Sequence, residues 1–98
     1  MERYKTRRGV VLTSICGENI LVAAKAVRKL CPYVTNINET SAFLWKKLVE
    51  GASEDELMDA VCDEYEIDDP ETARQAIRAF LSQMLELNYI TIEGEQDE

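Results

Sequence analysis

The 98-residue chain contains no histidine, only two prolines and four glycines, and three cysteines without a Cys-x-x-Cys spacing. Without histidine, a zinc site would need the thiolates of Cys16, Cys31 and Cys62 together with a carboxylate. We therefore expect small, buried, apolar cysteines and no metal. Their odd number also argues against a disulfide framework.

Other signatures are missing too. No apolar run approaches the roughly 20 residues that a membrane-spanning helix needs. The N-terminus is rich in arginine but lacks the apolar segment of a signal peptide, so we expect a cytoplasmic protein without a membrane partner. There is no serine-centred nucleophile elbow and no glycine-rich phosphate loop, so we expect neither catalysis nor a cofactor.

The composition is that of one globular domain over residues 1–98, with 46% apolar and 31% charged residues. Residues 1–8 are predicted to form an extended arm, and residues 93–98 an acidic, flexible tail. Charge is uneven: residues 1–50 carry nine Lys/Arg and four Asp/Glu (+5), and residues 51–98 carry two and fifteen (−13). An acidic helical half argues against nucleic acid as the partner.

Three runs rich in β-branched residues predict a small antiparallel sheet. Residues 10–16 and 19–24 flank a turn at Gly17 and Glu18 and form a predicted hairpin, and residues 33–37 form the third strand. Pro32 directly precedes that strand and cannot donate a hydrogen bond to a ladder. The third strand is therefore predicted at a sheet edge or to begin just outside the sheet.

Three helices are predicted to follow. Asn38 is a favourable N-cap for the first, Ser53 and Glu56 have the spacing of a capping box for the second, and Asp69 before Pro70 starts the third. The predicted fold class is α+β and winged helix-turn-helix-like, with a three-stranded antiparallel sheet followed by three helices.

The third predicted helix carries an apolar stripe that is wider than one packing contact requires. Arg74 and Arg78 flank this stripe on one side, four residues apart. The stripe consists of Ala73, Ala76, Ile77, Phe80, Leu81, Met84 and Leu87.

The junction between the third strand and the first helix carries a resemblance. Residues 37–48, Ile-Asn-Glu-Thr-Ser-Ala-Phe-Leu-Trp-Lys-Lys-Leu, resemble the L-N-x-T-G-A-x-I-W-x-L-L signature of the PqqD-like family, the peptide chaperones of pyrroloquinoline quinone biosynthesis. Ser41 stands where the family often has glycine, and Ile37 where it often has leucine. The resemblance covers roughly residues 8–90 and identifies a fold and family rather than a pathway.

The resemblance implies a recognition element for ribosomally made, post-translationally modified peptides. Such domains bind the leader segment of a precursor peptide and hand it to a tailoring enzyme, often a radical SAM protein. In the family, the leader joins the sheet as a strand beside the third strand and lies against the third helix.

The residues fit this mode, because strand addition needs a free edge and an adjoining apolar groove. We expect the edge at Val34, Thr35, Asn36 and Ile37. From the helical stripe, Ile77, Leu81 or Met84 are expected to face the guest strand. Arg74 and Arg78 are expected at the groove rim, where they would meet acidic leader residues, unless they instead pair with nearby carboxylates of this chain.

Two further hypotheses accompany the peptide-binding one. A winged-helix DNA-binding transcriptional regulator shares the topology but would need a basic reading helix. An open strand edge is also a liability in an isolated domain, so a homodimer is predicted, through the third strand or through exchange of the N-terminal hairpin.

Overall fold

The computed structural model describes residues 2–93, which contain six strands and three α-helices. In chain order these are β1 (Arg3–Thr6), β2 (Val10–Ile15), β3 (Glu18–Ala23), β4 (Val34–Ile37), α1 (Glu39–Leu48), β5 (Ala52–Ser53), α2 (Glu54–Glu64), α3 (Pro70–Glu86) and β6 (Ile90–Ile92). The predicted α+β class is confirmed. None of the helices in this part of the chain is long and apolar enough to cross a membrane.

The predicted three-stranded sheet is present, with the order β2-β3-β4 and antiparallel pairing throughout. Cys16 and Gly17 form the two-residue turn between β2 and β3, with φ angles of 52° and 79°. Two positive φ angles are the mark of a type I′ turn, whose twist suits a hairpin. This turn sets the register of β2 and β3, in which Ile15 lies opposite Glu18.

The N-terminal residues form a second sheet that the sequence did not reveal. Here β1 is the central strand, between β5 and β6. Residues 3–6 of the expected extended arm form β1, which is paired with a strand on each side. Tyr4 lies opposite Ile92, so the pairing partner is almost at the other end of the chain. Residues 94–98 of the predicted acidic tail lie outside the described residues.

Each α-helix begins at its predicted cap. The Asn38 side-chain oxygen accepts a hydrogen bond from the Ser41 N–H at 2.7 Å. Ser53 and Glu56 form a reciprocal capping box, with bonds of 3.2 Å and 2.9 Å. Asp69 caps α3, with proline at the first helical position. These local interactions fix where the helices start relative to β4.

Trp45 of α1 and Tyr89 lie at the centre of the core, 1% and 0% exposed, with their rings edge to face at 6.4 Å between centroids. Edge-to-face packing of this kind adds to the stabilisation from burial. The other large, fully buried side chains come from both sheets and all three helices: Leu21, Leu48, Leu57, Ile77, Met84 and Ile90.

Candidate functional site

Within residues 2–93, β4 pairs with β3 on one side and has no strand on its other side. The Ala23 N–H donates to the Tyr33 carbonyl at 2.8 Å, so these two residues form a hydrogen-bonded pair of the antiparallel ladder. Hydrogen-bonded and non-hydrogen-bonded pairs alternate along such a ladder. The register continues with Thr35 opposite Leu21. The main-chain groups of Thr35 and Ile37 therefore face β3.

The same alternation turns the N–H and C=O groups of Val34 and Asn36 away from β3. Pro32, the next residue in this phase, has no N–H, and its carbonyl accepts a hydrogen bond from the Tyr89 hydroxyl at 2.9 Å. The open edge thus offers two donors and two acceptors, centred on Val34 and Asn36. Both side chains are exposed, and Asn36 donates to Glu18 at 2.6 Å.

The residues that follow α3 are tied to β4 and to the loop before it. The Tyr89 hydroxyl lies 2.6 Å from the Thr35 hydroxyl, and the Asn88 amide donates to the Leu30 carbonyl at 2.7 Å. Burial raises the pKa of the Tyr89 phenol, so the group remains a neutral hydroxyl at physiological pH. These bonds hold the start of β4 at the C-terminal end of α3.

The other end of β4 leads into a groove. Asn38, directly after the strand, lines it, and α3 forms the opposite wall. The groove has a volume of about 540 Å³. It is lined by Asn38, Thr40, Ser41, Leu44, Val61, Tyr65, Ile67, Ala73, Ala76, Ile77, Ala79, Phe80 and Gln83. The groove thus begins next to the end of β4, and Val61, Tyr65 and Ile67, from α2 and the residues after it, complete its lining.

Small side chains create this space. Ala73, Ala76 and Ala79 lie three residues apart on α3, and Ala76 and Ala79 are exposed. Ile77 and Phe80 are 2% and 6% exposed, so they form the floor of the groove. The groove is therefore mainly apolar, and polar groups of α1 and α3 line part of it.

The predicted edge residues divide into two pairs. Val34 and Asn36 are exposed and present free main-chain groups, whereas Thr35 and Ile37 are half-buried and bond to β3. The predicted helical residues Leu81 and Met84 are core side chains, 3% and 1% exposed, so neither faces outward. Only Ile77 among the three expected stripe residues lines the groove.

Arg74 and Arg78 lie on a different side of α3 from the groove and pair with carboxylates of α2. Arg74 Nη1 lies 2.6 Å from Glu54 Oε2 and 3.0 Å from Asp55 Oδ1, and Arg78 Nε lies 2.9 Å from the same Glu54 oxygen. Hydrogen bonding from Arg74, followed by that from Arg78, lowers the pKa of Glu54. The geometry matches the alternative in which the arginines serve this chain's own carboxylates.

Sequence reasoning missed part of the groove. Ala79 and Gln83 fall outside the predicted stripe, and the sequence predicts Thr40 and Ser41 only as part of the family signature. A detectable signal exists, because alanines at every third position of α3 leave a shallow track beside the larger stripe residues. The sequence alone does not indicate that α1 would form the other wall.

The described residues contain no cluster of three or more cysteine, aspartate or glutamate side chains arranged to hold a metal ion. Cys16 and Cys62 are exposed, contrary to the expectation of buried cysteines, and only Cys31 is buried. The Cys31 thiol donates to the Val27 carbonyl at 3.3 Å, and burial raises its pKa. Cys31 therefore serves as a core residue that also satisfies a backbone carbonyl.

Residues 32–90, more than half of the chain, match the model of a family described as coenzyme PQQ synthesis protein D (PqqD). The chain belongs to the PqqD family. The matched segment begins at Pro32, just before β4, and ends at Ile90 in β6. It therefore contains the open edge, both walls of the groove and the Tyr89 contacts. Curated protein sequences give no match.

Two solved structures resemble this PqqD-family protein. TbiB1 in complex with the TbiA(beta) leader peptide is 26% identical, with a TM-score of 0.69, and the alignment covers 95% of this chain and 99% of that one. Lasso peptide synthetase B1 complexed with the leader peptide is 18% identical, with a TM-score of 0.66 and coverage of 89% and 94%. The second likeness is one of fold alone.

Proposed function

We propose that this protein is a non-catalytic module that binds the leader segment of a ribosomally made precursor peptide as an added strand beside β4. The observation that carries the proposal is the open edge at Val34 and Asn36 next to a groove walled by α1 and α3. Its structural relative TbiB1, which aligns over nearly its whole length, is in complex with a leader peptide. Family membership and fold support the same mode.

In strand addition, main-chain hydrogen bonds provide affinity and contacts of the peptide side chains provide specificity. The four outward groups of Val34 and Asn36 bond to the peptide backbone whatever its sequence. Peptide residues that lie opposite Thr35 and Ile37 point their side chains to the interior side of the sheet, where the groove lies. These positions provide selectivity, and Ile77 with Phe80 forms the surface on which they pack.

The proposed site differs from the one expected from sequence. It retains Val34, Thr35, Asn36, Ile37 and Ile77. Leu81 and Met84 support the site from the core, and Arg74 and Arg78 are engaged by Glu54. The proposed binding mode therefore does not depend on acidic leader residues. We further propose that the bound segment is presented to a separate tailoring enzyme, such as a radical SAM protein.

A titration with the leader peptide encoded beside this gene tests the proposal. We expect saturable one-to-one binding in calorimetry, unchanged by Lys46→Ala, since Lys46 is exposed on α1 and does not line the groove. The same leader with its residues in scrambled order provides the peptide control. A flat isotherm at high micromolar concentration would contradict the proposed function.

DNA binding gains no support from the structure. The helix-turn-helix pair consists of α2, whose first turn carries Glu54, Asp55 and Glu56, and α3, whose two arginines are paired with α2 carboxylates. A duplex phosphate backbone would meet an acidic surface at this place.

A further inference from the structure

The sheet has a second open edge, on β2, which the proposed function does not use. Within residues 2–93, no strand lies on the outer side of β2. The Ala24 N–H donates to the Gly9 carbonyl at 2.6 Å, which sets the alternation of the β2–β3 ladder. The main-chain groups of Leu12 and Ser14 therefore face outward. The main-chain groups of Val10 also face outward, but the Val10 N–H already donates to the Arg7 carbonyl at 3.2 Å.

This edge lacks the features that usually prevent pairing. Its sequence, Val-Val-Leu-Thr-Ser-Ile, contains no charge, no proline and no glycine. Natural edge strands are commonly protected by charged residues or proline. Val11 and Ile15, on the face of the sheet away from the core, are 58% and 53% exposed. By contrast, β4 is preceded by Pro32 and carries the Asn36–Glu18 hydrogen bond at its surface.

We propose that a second copy of this chain pairs with the outer edge of β2, forming a two-fold dimer with a continuous six-stranded sheet. In the only register that uses the free groups of both residues, Leu12 of each copy exchanges hydrogen bonds with Ser14 of the other. Thr13 then lies opposite Thr13 of the second copy, on the two-fold axis. Val11 lies opposite Ile15 of the second copy.

This register is self-complementary in both apolar surface and charge. The two exposed apolar side chains of each β2 cover those of the other, in the close, non-hydrogen-bonded type of pair. The basic start of β2, with exposed Arg8, lies beside the hairpin turn of the second copy, which carries exposed Glu18. The two β4 edges lie at opposite ends of the joined sheet, so each copy retains its open edge and groove.

Cysteine cross-linking tests the register. In a chain with Cys16→Asn and Cys62→Ser, Thr13→Cys places two sulfurs at the two-fold axis. The Cα separation of about 4.5 Å in a non-hydrogen-bonded pair is within the disulfide range. We expect a disulfide-linked dimer on mild oxidation. Ile20→Cys, opposite Thr13 on β3, is the matched control, because the two copies lie three strand spacings apart, about 14 Å, and should not link.

Sedimentation of the unmodified chain provides the second measurement. We expect the average mass to rise with concentration toward twice that of the chain. Ser14→Pro removes an outward N–H from each copy and should raise the dimer dissociation constant at least about tenfold, since two symmetric bonds are lost. It leaves the bonds to β3 intact, so the variant should remain folded by circular dichroism and bind the leader as before.

Three outcomes would overturn the dimer. The first is a monomer at every concentration together with no Thr13→Cys disulfide. The second is a dimer that Ser14→Pro does not weaken. The third is a disulfide through Asn36→Cys and none through Thr13→Cys, which would assign self-association to β4. None of these results depends on leader binding, so a failure here is distinguishable from a failure of the proposed function.

Discussion

Replacing Asn36 by proline removes an outward-facing N–H from β4 and leaves the β4–β3 ladder intact. The Asn36 amide lies in the non-hydrogen-bonded phase, and proline is tolerated on an edge strand where the N–H faces solvent. Thr35, the preceding residue, is already extended, as a residue before proline prefers. The variant is therefore expected to fold.

The magnitude follows from what the peptide loses. One main-chain hydrogen bond disappears and a peptide carbonyl is left without its partner, at a cost of about 1–3 kcal/mol. Leader binding should weaken about 5- to 150-fold. Asn36→Ala retains the N–H and removes only the side chain with its bond to Glu18, so its affinity should stay close to that of the unmodified chain.

Ile37→Pro is the matched control for position along the strand. Its N–H faces β3, and its side chain packs against the core, so the same substitution there should lower the free energy of unfolding by at least about 2 kcal/mol. Calorimetric titration measures affinity and urea denaturation measures stability. A folded Asn36→Pro variant that binds the leader with unchanged affinity would refute the assignment of the edge groups.

Further expectations concern the groove and its supports. Ala76→Leu should fill part of the groove and weaken leader binding about tenfold, whereas Gln75→Leu, one residue away and outside the groove, should not; equal affinities would contradict the groove assignment. Tyr89→Phe should lower the free energy of unfolding by about 1–3 kcal/mol, because the Thr35 hydroxyl and a loop carbonyl lose their partner, and an unchanged urea midpoint would argue against this. Hydrogen bonding from arginine lowers the folded-state pKa of Glu54, so its contribution to stability is present above the unfolded pKa and is lost as pH falls through the lowered one. Glu54→Gln should therefore lower the free energy of unfolding at neutral pH by under about 1 kcal/mol. It should also make that free energy fall less steeply as the pH becomes acidic, and an unchanged acidic slope would contradict this expectation.

The junction from β4 to α1 was predictable because its causes are local. Asn38 caps the helix through a bond to a residue three positions away, and Pro32 limits where the strand begins. The same holds for the capping box at Ser53 and for the helix start at Asp69. In each case a few neighbouring residues determine the conformation.

The second sheet was not predictable in this way. Residues 3–6 are largely polar and become a strand only because β5 and β6 supply partners from distant parts of the chain. Arg3 is held by Glu56 and Glu93, with contacts of 2.6 Å and 3.2 Å. Residues 90–92 have strand character, but neither segment indicates by itself which distant segment it pairs with.

The side-chain roles on α3 show a related limit. A helical wheel gives the angles of Ile77, Leu81 and Met84 but not which neighbouring element each one faces. All three are buried, but Ile77 forms part of the groove floor, whereas Leu81 and Met84 do not line the groove. Likewise, the wheel places Arg74 and Arg78 on one side of the helix, but only the packing of α2 brings Glu54 to them.

Hydrogen exchange at the amides of β4 tests the central claim most directly. In the free protein, the amides of Thr35 and Ile37 should exchange slowly because they bond to β3, and those of Val34 and Asn36 should exchange rapidly. On saturation with the leader peptide, Val34 and Asn36 should become protected together. Leader binding that leaves both amides in rapid exchange would contradict strand addition at this edge.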